Sequence, residues 1–208
     1  MKRFIPFQTL ICSVLYFLWA EGSAVAASLN DRNENKAYAL STFKIPEHLK
    51  LEVSGLAPLP DGRLGIAIRK GEIWIADQTQ NPDSAVYTPF ATGLHEPLGL
   101  AFHKGAFYTV QRTELTRISD LDADGVADEY WTIAKGWGVT GNYHEYAYGP
   151  QFDYQGNAWI TLNIGIGKGP NPEDNAWRGW SIKVAPDGSW LPISAGFRSP
   201  SGIGMNPA

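Results

Sequence analysis

The chain has 208 residues, of which 44% are hydrophobic and 18% charged, with a net charge of −4; that balance describes a folded globular protein and excludes a disordered one. Its 22 Gly, 14 Pro and 26 aromatic residues (8 Trp, 9 Tyr, 9 Phe) favour many short strands joined by turns and exclude a helical bundle. The chain is acidic and has no Lys/Arg cluster, so it offers no counterion-release surface for nucleic acid.

At the N-terminus Lys2 and Arg3 precede an apolar stretch over residues 4–20, and Ala24-Val25-Ala26 supplies a small-x-small cleavage pattern. Residues 1–26 are therefore expected to be an export signal, which places the mature protein in the periplasm or outside the cell. Pro6, Gln8 and Thr9 interrupt the stretch and leave it short of the roughly 20 apolar residues of a bilayer span, so no stable membrane anchor is expected. The single cysteine, Cys12, lies inside this stretch. A mature chain without thiols excludes a disulfide framework, Cys-ligated metal and a Cys nucleophile.

Residues 27–42 are polar and rich in Asn and charge, and are expected to form a disordered leader ahead of a fold that occupies residues 43–208. From there the chain reads as all-β. Short runs of four to seven residues, mostly bounded by Gly, Pro, Asp or Asn, predict strands at 49–53, 55–59, 64–69, 72–76, 86–91, 98–103, 106–111 and 115–119. Six more are predicted at 130–134, 148–154, 158–162, 180–185, 189–195 and 202–205. A weak repeat starts at Gly55, Gly93, Gly149 and Gly196, each start combining Gly with an apolar residue or Pro near a strand. Starts at this interval fit a propeller blade of four antiparallel strands. Fourteen predicted strands make about three and a half blades, so the chain is expected to be the N-terminal part of a longer β-propeller, truncated at its C-terminus.

Three constellations could carry chemistry. In the run from residue 120 to 128, Asp120, Asp122, Asp124 and Asp128 occupy positions 1, 3, 5 and 9 of a loop with Gly125 at position 6 and the Val126 carbonyl at position 7. This is the spacing of an oxygen cage for calcium, although Trp131 stands where a closing Glu would be, and a structural calcium loop between strands is the reading. The Gly- and aromatic-rich segment 136–146 contains His144, whose imidazole could take a proton from a substrate hydroxyl, with Glu145 either orienting it or facing solvent. Arg198 precedes a predicted strand, and its fork could bind a carboxylate or make a salt bridge to a neighbouring blade.

The run Leu59-Pro60-Asp61-Gly62-Arg63-Leu64, continuing through Arg69-Lys70-Gly71-Glu72-Ile73, resembles the opening blade of the soluble quinoprotein glucose and sorbosone dehydrogenase superfamily. His144 followed by Gly149-Pro150 and Gly156-Asn157-Ala158-Trp159 resembles that family's catalytic-histidine segment. Arg198-Ser199-Pro200-Ser201-Gly202 resembles its Arg-Asn-Pro-x-Gly cofactor motif, with Ser199 in place of Asn. The resemblance implies a six-bladed propeller, pyrroloquinoline quinone as cofactor, His144 as general base, and Arg198 and Ser199 at the quinone. Asn142-Tyr143-His144-Glu145-Tyr146 and Arg178-Gly179-Trp180 are similar to exported planctomycete-type proteins labelled membrane-bound dehydrogenases, which join such a propeller to a c-type haem module. The chain departs from the quinoprotein pattern at Tyr143, where the family has Asp, and at residues 163–167, where a sugar-binding segment is expected. The expected activity is oxidation of a sugar or alcohol, with electrons passing to a haem domain outside this chain. The rival expectation is a non-catalytic calcium-binding propeller that stacks a glycan, or holds a protein partner, on aromatics such as Trp131, Trp137, Tyr143, Tyr146, Trp177 and Trp180.

Overall fold

Twelve short strands, several of them with a row of buried β-branched or aromatic residues, assemble into three four-stranded antiparallel sheets in this computed structural model. The structure describes residues 41–166 and 176–206. The predicted export signal and most of the predicted leader lie outside the described residues, and all twelve strands belong to the unit Phe43–Ala208. The only helix among the described residues is the 3-10 turn Pro82–Ser84, so none there is long and apolar enough to cross a membrane.

The first sheet is a meander of β1 (Val53–Pro58), β2 (Leu64–Ile68), β3 (Glu72–Asp77) and β4 (Val86–Ala91). The second repeats the plan with β5 (Ala101–His103), β6 (Ala106–Val110), β7 (Glu114–Ser119) and β8 (Glu129–Lys135). The third does so with β9 (Ala147–Phe152), β10 (Ala158–Leu162), β11 (Trp180–Val184) and β12 (Trp190–Ala195). Sheets pack face to face. Ala67, Ile73, Ile75 and Phe90 meet Leu100, Phe107 and Ile118 between the first and second. Val110, Leu115 and Trp137 meet Ile160, Leu162 and Ile182 between the second and third. The first strands of successive sheets lie side by side, β5 against both β1 and β9. Radially stacked four-stranded meanders with their first strands innermost are three blades of a β-propeller.

The approach of the innermost strands is set by glycine. A Cβ on Gly55 would lie 2.5 Å from the Gly99 carbonyl carbon, and one on Gly99 would lie 2.3 Å from the Gly149 carbonyl oxygen, so no larger residue fits either place. Gly149 N–H donates to the Leu98 carbonyl at 3.1 Å across the same seam. The structural repeat therefore runs Gly55, Gly99, Gly149. Gly93, in the connector between the first and second sheets, and Gly196, directly after β12, are two of the repeat starts expected from sequence, and both have open space around them.

Twelve of the predicted strands are present with small shifts, and two are not. Residues 49–52 form no ladder, although the Glu52 carbonyl accepts from Arg69 N–H, and pairing begins at Val53. Residues 202–205 form no ladder with any strand among the described residues, although Ile203 packs beside Gly149. The strand predicted at 98–103 shortens to β5 because Gly99 takes φ 127 and breaks the extended run.

Because every sheet is an up-and-down meander, its connections alternate between two ends. The β2–β3 and β6–β7 turns, residues 163–166 after β10, and the connectors between sheets share one end, called here the upper end. The β1–β2-type hairpins and the β3–β4-type loops share the lower end. Asp61, Asp153 and Asp187 shape the lower hairpins, each accepting backbone N–H groups two residues onward at 2.9–3.0 Å.

Candidate functional site

His144 lies on the connector between the second and third sheets, at the upper end, in a turn closed by Glu145 N–H donating to the Asn142 carbonyl at 3.1 Å. The Asn142 side chain accepts from His144 N–H at 3.1 Å, and the His144 ring is half-buried against Tyr143, 3.7 Å between centroids. Among the described residues no side chain hydrogen-bonds the imidazole.

The connector is anchored by buried groups. Trp137, one of the aromatics that the rival binding-module reading would use for stacking, is fully buried between the second and third sheets and donates its indole N–H to the Arg112 carbonyl at 2.9 Å. Glu145 is also fully buried. Its carboxylate accepts from Thr140 N–H at 2.7 Å and from the Thr140 hydroxyl at 2.8 Å, so it braces the loop and neither orients the imidazole nor faces solvent. The Arg178 guanidinium, 6% exposed, donates to the carbonyls of Gly138, Glu145, Tyr146 and Arg112. Burial pulls its pKa down to about 10 against the opposing pull of the Glu145 charge.

Above these groups stands an arginine–glutamate–arginine chain that links all three blades. Arg69, on the β2–β3 turn, donates to Glu96 at 2.9 Å, and Glu96 also accepts from Arg112 Nε. The fork of Arg112 donates to the Asn142 carbonyl at 3.3 Å and the Tyr143 carbonyl at 2.7 Å, and lies 4.6 Å from the Tyr146 ring centroid. Burial raises the Glu96 carboxyl pKa, but the two arginines outweigh it and hold the group below its ordinary value. Arg69, Leu98, Tyr148 and Ser201 line a recess of about 490 Å³. Arg69, Glu96 and Arg112 were not singled out from sequence. The signal was an arginine at the equivalent upper turn of two successive blades, Arg69 after β2 and Arg112 after β6.

Arg198 and Ser199 are exposed at the same end. The link to the histidine loop is through backbone: Asn163 N–H donates to the Tyr146 carbonyl at 2.9 Å, and Ile164 N–H to the Arg198 carbonyl at 3.2 Å. Segment 163–166 thus bridges the His144 connector and the Arg198 segment, while Gly167 lies outside the described residues. The Arg198 side chain makes no ion pair among the described residues.

The aspartate loop is elsewhere. It joins β7 to β8 and so lies at the lower end, opposite His144. Carboxylate oxygens of Asp120, Asp122 and Asp124 lie within 4.8 Å of one another, and Ala123 (φ 63) and Gly125 (φ 92) turn the loop tightly around them. Asp120 Oδ1 is buried and has no hydrogen-bond partner among the described residues. Asp128 stands apart from this trio: its carboxylate accepts from the N–H groups of Leu121 and Asp122 at 2.6 and 3.4 Å. Val126 donates its own N–H to Asp124 at 2.8 Å.

No family model matches the chain, and no curated protein matches it. Among solved structures it is similar to an oxidoreductase (glucose dehydrogenase) from Thermus thermophilus, at 22% identity and TM-score 0.56, over 76% of this chain and 55% of that one. It is also similar to the pyrroloquinoline quinone-bound aldose sugar dehydrogenase of Streptomyces coelicolor, at 18% identity and TM-score 0.52, over 73% and 48% respectively. These likenesses show the propeller fold, and the chain spans about half the length of the structures it matches.

Proposed function

We propose that the chain contributes three blades to an exported quinoprotein-type dehydrogenase that oxidises a sugar or alcohol at the upper end of the propeller. The observation that carries this reading is the convergence, at one end, of the His144 connector, segment 163–166 and the Arg198 segment, joined by backbone hydrogen bonds. Its fold, shared with sugar dehydrogenases, supports the same reading.

The donor set fits pyrroloquinoline quinone, a planar tricarboxylate. Arg198 presents a guanidinium without an ion-pair partner among the described residues, with Ser199 beside it, and Arg69 borders the neighbouring recess. The bound quinone would supply the hydride acceptor. In this reading His144, whose ring makes no side-chain hydrogen bond among the described residues, withdraws the hydroxyl proton of the substrate. The exposed Tyr143 ring beside it offers a face for the substrate. A haem domain outside this chain would be the onward electron acceptor.

Calcium in the Asp120, Asp122 and Asp124 loop has a structural role in this reading, because the loop lies at the opposite end from the histidine. The buried, unpartnered Asp120 Oδ1 supports a cation there, since an orphaned buried carboxylate oxygen is costly unless a cation or donor satisfies it. The Val126 carbonyl would add a ligand from the position the loop spacing assigns it, while Asp128, assigned to the cage by the same spacing, holds the backbone of Leu121 and Asp122 from outside the trio.

The experiment is dye reduction by the full-length protein, supplied with calcium and the quinone, against a panel of aldoses and alcohols. Turnover that disappears in His144→Ala is expected; no reduction with any member of the panel overturns the enzymatic reading. Calcium at saturating concentration is expected to raise the melting temperature of the wild-type protein and not that of Asp122→Asn, by the linkage of ligand binding to folding. The exposed aromatics Trp131, at 57%, and Tyr143, at 64%, favour one second reading, a binding module for a glycan. Under that reading His144→Ala leaves glycan binding nearly intact.

A further inference from the structure

The stem of the His144 connector is held without help from Arg112's side chain. Trp137 fixes its start, Glu145 ties back to Thr140, and Arg178 gathers the carbonyls of Gly138, Glu145 and Tyr146. The tip has a different anchor. The peptide carbonyls of Asn142 and Tyr143, the second belonging to the peptide bond that leads into His144, both accept from Arg112.

We infer that Arg112, locked by Glu96, is a positioning residue that sets the orientation of His144. This rests on the reading of His144 as the reacting base. Three features carry it. Arg112 spends all three of its guanidinium nitrogens: Nε on Glu96 and the two terminal groups on consecutive carbonyls ahead of His144. Its plane also covers Tyr146, so the guanidinium is fixed in rotation as well as place. Glu96, which fixes Arg112, holds a left-handed backbone at φ 47 that a non-glycine residue adopts only when its surroundings impose it. The stem is secured by other groups, and the tip is tied in addition by the Asn142 amide, which donates to the Ile166 carbonyl at 2.6 Å. The clamp acts where the direction of the imidazole is decided.

The chain crosses blades as well. Arg69 from the first blade holds Glu96 on the next connector, and Arg112 from the second blade reaches the connector to the third. Orientation of His144 therefore depends on a residue in each of two preceding blades.

The test is the rate of diethyl pyrocarbonate acylation at each histidine of the full chain, resolved by peptide mass spectrometry, in wild type, Arg112→Ala and Glu96→Gln. His103, stacked on Phe152 at the lower end, and His48, which makes no hydrogen bond to the clamp residues, are internal controls. The inference expects acylation of His144 to quicken about three- to tenfold in both variants, the population change that follows from losing a net hydrogen bond, with the controls unchanged. An unchanged rate at His144 overturns it. A parallel rise at all three histidines overturns it too, since that reports general loosening. Should Arg112→Ala fail to fold, Glu96→Gln decides alone, because it keeps the shape of both side chains. The readout needs no turnover: an absence of dehydrogenase activity sinks the reading of His144 as base and leaves the clamp standing.

Discussion

Asp153 shows how one side chain builds a hairpin. Its carboxylate accepts from the N–H groups of Gln155 and Asn157, from the Asn157 amide and from the Trp159 indole at 2.9–3.2 Å, closing the β9–β10 turn with Gly156 at φ 85. Burial pushes its pKa up, but the donated hydrogen bonds prevail and hold it at about 2. The depressed value means that the group stabilises the fold above its unfolded pKa near 3.9, and that this contribution is lost as pH falls through about 2. Asp153→Asn is therefore expected to flatten the decline of the urea midpoint between pH 4 and pH 2 relative to wild type. A variant whose acid limb overlays the wild-type limb would show that these bonds do not distinguish the folded from the unfolded carboxylate. At the other end, Arg178 and Glu145 illustrate what a sequence conceals. In sequence Glu145 is either an orienter of His144 or a solvent-facing charge, and Arg178 is only part of a resemblance. Yet both are buried, Arg178 on backbone carbonyls and Glu145 on the Thr140 N–H and hydroxyl, groups that only the folded loop brings within reach.

Among elements, the innermost strands are the least forgiving. A Cβ on Gly99 would meet the Gly149 carbonyl oxygen at 2.3 Å, and the residue's φ of 127 is unfavourable to any side chain. Backbone cannot retreat as a side chain can, so Gly99→Ala is expected to cost about 3 kcal/mol or more, or to prevent folding. Gly62→Ala, at a hairpin glycine with φ 91 and open space around it, is expected to cost only about 1 kcal/mol. Equal losses in chemical denaturation would contradict this account of the close approach. The strand pattern was readable from short apolar runs bounded by turn residues, since β2 (Leu64–Ile68) and β3 (Glu72–Asp77) are β-branched runs flanked by the Asp61-Gly62 and Arg69-Lys70-Gly71 turns. The repeat register was not. Gly93 and Gly99 lie six residues apart, and only packing reveals which one touches the next blade.

The whole unit is joined through its second sheet. Phe107 projects toward the first sheet, 5.1 Å from Phe90 and from Phe102 in edge-on contact, while Val110 and Leu115 of the same sheet project toward the third. Phe107→Ala is expected to destabilise by about 3–5 kcal/mol, as for other large-to-small changes in a core. Because one sheet serves both cores, the loss should lower a single thermal transition rather than split it in two; a split transition would mean that the blades unfold independently.

The sequence by itself determined the all-β class, the four-strand rhythm of the blades and the tight turn of the aspartate loop, because each is written in local patterns of apolar alternation, turn residues and spacing. Only the tertiary structure decided that His144 and the Arg198 segment share one end while the aspartate loop lies at the other. It alone decided that Arg69, Glu96 and Arg112 form one chain across blades. The reason is physical: a meander sends successive loops to alternate ends, and radial packing brings together residues far apart in sequence, so neither the end nor the neighbour of a charged side chain is a local property.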